Sequence, residues 1–114
     1  IEGAHKGLGL GLSFLQHIER VKAILYLIEI TETDPRYNLD LLRSELKSYN
    51  PALIAKPHYI VLTKSDLVND GEIRERSEAL GEDRVVVLSA KNGHNMGQLV
   101  EIIEMLMEES RAAS

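Results

Sequence analysis

The segment Val21 to Ile30 reads Val-Lys-Ala-Ile-Leu-Tyr-Leu-Ile-Glu-Ile, and it constrains the fold more than any other part of the chain. It is almost continuously apolar and rich in branched side chains. That is the pattern of a strand covered on both faces, not of one alternating between core and water. Two shorter runs of the same kind come later, Tyr59 to Leu62 and Arg84 to Leu88. The intervening segments change to helical spacing. Asn38 to Ser48 carries Leu39, Leu42 and Leu46, and stops at Asn50-Pro51. Glu72 to Leu80 reads as a charged surface helix closed by Gly81. Asn95 to Glu109 reads as a last helix, with Met96, Leu99, Ile102, Ile103, Leu106 and Met107 on its apolar side.

Strands alternating with helices predict an α/β fold, a parallel sheet of three strands with flanking helices. The first strand, apolar enough to be covered on both sides, is expected to need a further neighbour. Upstream of it, Leu8, Leu12, Leu15 and Ile18 recur at helical spacing up to Arg20. Four of the eight glycines fall in Ile1 to Gly11, which is expected to be a mobile loop. Thr31 to Arg36 reads as a loop, with Pro35 well placed to open the next helix.

Composition narrows the function classes. A net charge of −5 and few aromatics (four Tyr, one Phe, no Trp) speak against a direct nucleic-acid patch in this chain. The absence of cysteine removes disulfides, thiol catalysis and cysteine-ligated zinc. No secretory signal or run of transmembrane length is visible, so no membrane segment and a cytoplasmic location are expected. His5, His17, His58 and His94 lack metal-ligand spacing. His5 is read as a solvated loop residue, Met96, Met105 and Met107 as core packing or helix surface, and Glu101, Glu104, Glu108 and Glu109 as a solvated helix face.

In open parallel sheets, ligands bind at the carboxyl ends of the strands. Two strand ends here carry unusual polar content: Thr63-Lys64-Ser65-Asp66 and Ser89-Ala90-Lys91. This pair suits guanine. A carboxylate at Asp66 accepts from the ring N1–H and the exocyclic amine, whereas adenine offers no matching donors. The wrong base would leave a buried charge unpaired. The Lys64 stem can lie along one face of the base, the Ala90 N–H can donate to the guanine carbonyl, Ser89 can orient Asp66, and Lys91 can cover the opposite face. Either string alone is weak, because Asp66 by itself would serve equally as a helix cap and the lysines as solvated charges. Both strings, each after its own strand, are specific.

With those motifs in place, the chain resembles the second half of the G domain of translation-factor-class GTPases, and most closely the Obg family. The stretch from Ile1-Glu2-Gly3-Ala4-His5-Lys6-Gly7 to Gly11 and then Phe14-Leu15-Gln16-His17-Ile18-Glu19-Arg20 is similar to the segment after the Asp-x-Pro-Gly motif of that family. Tyr49-Asn50-Pro51, and Ser89-Ala90 before a glycine-containing turn and a Leu-rich helix, resemble it too. The resemblance implies that residues 1–114 form the C-terminal half of an Obg-type G domain with a partial P-loop NTPase-type sheet. Residues 1–11 would be the tail of the second switch, 63–66 the guanine-specificity loop and 89–91 the second base loop. It further implies a parent that hydrolyses GTP, with Mg2+ accompanying GTP/GDP, and association with the large ribosomal subunit. Two residues depart from the family pattern. Thr63 stands where Asn is usual, and Glu29 where Asp is usual. No G-x-x-x-x-G-K-[S/T] string is present, so the phosphate-binding half, the first switch and the magnesium ligands are expected upstream of Ile1, and this segment is expected to supply base recognition without hydrolysis. The alternative is an α/β signalling or interaction module without nucleotide binding. A phosphoacceptor version of it would have to use Glu29, the one acidic candidate after the first strand.

Overall fold

Branched and aromatic residues in register build the centre of the protein. The computed structural model describes residues 20–113; the expected helix before Arg20 and the 1–11 loop with His5 lie outside them. Among the described residues three parallel strands form the sheet: β1 (Ile24–Glu29), β2 (His58–Thr63) and β3 (Val85–Val87), in the order β1-β2-β3. β1 pairs with β2 from Ile24↔His58 to Glu29↔Thr63, and β2 with β3 from Ile60↔Val85 to Leu62↔Val87. Two further ladder bonds, Ile60 N–H to Arg84 O at 2.8 Å and Leu88 N–H to Leu62 O at 2.8 Å, extend the short third strand at both ends.

Among the described residues three α-helices pack on this sheet: α1 (Pro35–Tyr49), α2 (Asp70–Leu80) and α3 (Met96–Ala112). Local chemistry sets their ends. Asp34 accepts the Tyr37 N–H at 3.0 Å with Pro35 in the first turn, so α1 begins three residues before its apolar period becomes visible. At its far end Asn50 accepts the Ala52 N–H at 3.0 Å and turns the chain into a 3-10 segment, Pro51–Ala55. Asn69 accepts the Glu72 N–H at 2.8 Å while its own amide donates to the Glu72 carboxylate at 2.9 Å, a reciprocal cap that starts α2. Gly81, at φ 64°, ends it.

Period-two alternation divides the core into two layers. Tyr26, Ile28, Ile60 and Leu62 face α1 and α2, packing with Leu39, Leu80 and the half-buried Leu42, Leu46 and Ile73. Val61, Val86 and Leu88 face α3, through Ile102, Leu106 and Leu99. The expected apolar side of the last helix is therefore only partly right. Ile102 and Leu106 are buried, but Met96, Ile103 and Met107 are 36–41% exposed, because helical rotation carries them about 100° off the sheet-facing line. The first strand lacks the further neighbour that its apolar run called for: Tyr26 and Ile28 are buried, but Leu27 on the other face is 59% exposed, and among the described residues β1 is paired on one edge only.

Candidate functional site

Both polar loops leave the same end of the sheet, because β2 and β3 are parallel neighbours. At the end of β2 the backbone of Lys64 enters the left-handed region (φ 63°, ψ 37°), uncommon for a residue with a Cβ. The turn allows the Ser65 N–H to donate to Leu88 O at 3.1 Å, tying this loop to the end of β3, and starts the 3-10 segment Ser65–Leu67. Asp66 then lies half-buried beside the second loop.

The second loop is held from within. Ser89 is fully buried; its hydroxyl donates to Asp66 Oδ1 at 2.7 Å and accepts the Asn92 N–H at 3.1 Å. Its own N–H donates to His94 O at 3.2 Å, across a turn closed by Gly93 at φ 71°. Asn95, also left-handed at φ 60°, donates its side-chain amide to Val87 O at 2.7 Å and anchors the start of α3. Ala90 and Lys91 are thereby left at the exposed rim.

Between the loops lies a pocket of about 530 Å³, lined by Thr63, Lys64, Asp66, Leu67, Leu88, Ala90 and Lys91. That volume falls within the range of small-ligand sites. The structure thus brings Thr63, Lys64, Asp66, Ala90 and Lys91 to one cavity. Ser65 and Ser89 lie buried behind it, Ser65 holding the backbone and Ser89 the carboxylate. The Thr63 hydroxyl reaches Ile28 O only at 3.5 Å, a long contact consistent with its short side chain.

Four residues beyond the two motifs also shape the site. Leu67, 59% exposed, and Leu88 supply its apolar wall, and Asn95 braces the second loop. Glu29, at the end of β1, accepts from Lys64 Nζ at 2.7 Å. That hydrogen bond, with the negative charge of Glu29, raises the Lys64 pKa above its ordinary value against a small opposing effect of burial; Asp66 adds a weaker upward pull. A leucine directly after the Thr63-Lys64-Ser65-Asp66 string was the available signal for Leu67. Nothing in the spacing pointed to the Glu29–Lys64 pairing. Among the described residues, no group of three or more His, Cys, Asp or Glu side chains is arranged to hold a metal ion, and no helix is long and apolar enough to cross a membrane.

No protein-family model matches the chain. Individual proteins do. It is 36% identical to the GTPase Obg of Desulforapulum autotrophicum over 97% of its own length, and 47% identical to the GTPase Obg of Pelagibacter ubique over 66%. It is 38% identical to the mitochondrial ribosome-associated GTPase 2 of Homo sapiens over 95% of its length. The chain is related to the Obg family of GTPases. It spans a third of the Desulforapulum protein, 27% of the human one and 23% of the Pelagibacter one. At 97% coverage, the Obg relationship takes in both loops of the pocket. The fold agrees with it: a three-stranded parallel sheet with helices on both faces, its polar loops together at the carboxyl end.

Proposed function

We propose that this chain is the guanine-reading, C-terminal half of an Obg-type G domain, in a GTPase that converts GTP to GDP and phosphate. The observation that carries the reading is the Ser89–Asp66 hydrogen bond of 2.7 Å at the wall of the pocket. It orients one carboxylate oxygen and leaves the group able to accept a pair of donors from guanine. The Lys64 stem would lie along one face of the base, the Ala90 N–H would serve the guanine carbonyl oxygen, and Lys91 would close the other side. Leu67 and Leu88 keep the surroundings apolar, which raises the cost of a mismatched base.

Base recognition is all these residues are asked to supply. Phosphate binding, the metal and hydrolysis fall to the remaining part of the domain. Two surfaces support that division. The outer edge of β1 has no partner among the described residues, and Leu27 beside it is exposed. On α3, Glu109 pairs with Arg84 next to β3, while Met96, Val100, Ile103 and Met107 on the opposite flank are exposed. A strand and a helix from the other half of the domain would cover both. Association with the large ribosomal subunit and a cytoplasmic location belong to the same reading; the words ribosome-associated in the human relative's name support the first of them.

The test is competition for fluorescent GDP on the full-length protein by GTP, ATP and xanthosine nucleotides. GTP should displace the probe and ATP should not. Asp66→Asn, which replaces one acceptor by a donor, should move preference from guanine toward xanthine nucleotides. ATP competing as well as GTP would sink the reading.

A further inference from the structure

The Glu29–Lys64 pair links two strand ends with no sequence proximity. Register places Glu29 directly opposite Thr63, so the residue after Thr63 emerges beside the Glu29 carboxylate. Lys64 takes the left-handed backbone there, and its ammonium meets Glu29 Oε1 at 2.7 Å. Both side chains are about half exposed (53% and 50%). An ion pair this open to water contributes little to folding. Yet a disfavoured backbone conformation is maintained at the same residue, and such conformations cluster where a side chain must be aimed. Lys64 lines the base pocket, whereas Glu29 lines a separate cleft of about 270 Å³ with Leu27, Ile28, Glu32, Asn38 and Leu41. The pair therefore sits on the ridge between two depressions at the carboxyl end of the sheet.

We infer that Glu29 is a positioning residue for guanine recognition: it holds the Lys64 ammonium on this ridge, so that the lysine stem lies ready along one face of the base pocket. The inference rests on the guanine reading above. A free lysine samples many rotamers, and a ligand that must order it gives up affinity to do so. Tethering the ammonium before the base arrives removes part of that cost. Glu29 does not touch the base; it acts through Lys64. The longer carboxylate at this position, where family resemblance expects Asp, gives the reach for a direct 2.7 Å contact.

The experiment measures GDP dissociation constants and off-rates on the full-length protein for wild type, Glu29→Gln, Glu29→Asp, Lys64→Met and the Glu29→Gln/Lys64→Met pair, with thermal unfolding of each. Glu29→Gln is expected to weaken GDP about two- to fivefold, mainly through a faster off-rate, with an unchanged unfolding midpoint. Glu29→Asp should recover part of the loss, and Glu29→Gln should have no further effect once Lys64 is Met. Wild-type affinity in Glu29→Gln would overturn the inference, as would the same loss in the Lys64→Met background. If the wild type binds ADP as well as GDP, the guanine reading itself has failed, a result distinct from either.

Discussion

Ser89 Oγ and Asp66 Oδ1 lie 2.7 Å apart although 23 residues separate them in the chain, and Ser89 is entirely buried. The hydroxyl both donates to the carboxylate and accepts the Asn92 N–H, so one small side chain ties the two pocket loops together. Removing it would leave a carboxylate oxygen and a backbone N–H without partners. Ser89→Ala should therefore reduce stability by about 1–2 kcal/mol and weaken guanine-nucleotide binding roughly tenfold. Urea unfolding and fluorescent-GDP titration of the full-length protein check both effects. Unchanged affinity would mean that the carboxylate needs no orienting partner.

Glu82 joins the α2–β3 connection to α1. Its carboxylate accepts from Arg36 at 2.7 Å and from Arg43 at 3.1 and 3.2 Å. The Arg43 hydrogen bonds, helped by those of Arg36 and opposed by partial burial, hold its pKa at about 2 instead of 4.5. A depressed carboxylate pKa stabilises the fold above the unfolded value, and that stability is lost as pH falls through the folded value. Glu82→Gln should cost ~1–2 kcal/mol at neutral pH. The gap from wild type should close between about pH 4.5 and about pH 2. Denaturant titrations across that range provide the measurement, and a gap constant into acid would contradict it.

Gly81 closes α2 at φ 64°, and a Cβ built there would meet nothing within 4 Å. Any penalty for a larger residue is then conformational, without a steric part. Gly81→Ala should lower stability by about 1 kcal/mol, and Gly81→Asn by less, because Asn tolerates the left-handed region better. Equal losses in unfolding experiments would show that backbone conformation is not what selects glycine here.

Much of the architecture was legible from local chemistry. Apolar runs of branched residues marked all three strands, Pro35 and Gly81 marked helix ends, and the two polar strings after adjacent strands marked the pocket. These features act over a few residues, so the chain displays them directly. Element ends were less legible: α1 starts at Pro35 because Asp34 caps it, and β3 shrinks to Val85–Val87 because only those residues pair in full with β2. The apolar face of α3 is only partly legible in the sequence. Periodicity groups Met96, Ile103 and Met107 with Ile102 and Leu106, but which line of the helix faces the sheet decides which of them are covered.

The local code of this sequence determined which segments become strand, helix and turn, and which side chains stand at the strand ends, because dihedral preference and hydrophobic period are properties of near neighbours. The sequence suggested that Ser89 orients Asp66, and tertiary structure set that contact at 2.7 Å; tertiary structure alone decided that Lys64 would turn left-handed and meet Glu29, and that Leu67 would wall the pocket. Those contacts depend on the register of parallel strands whose partners lie tens of residues away. A sequence read locally contains no distance between its distant parts; the sheet supplies it.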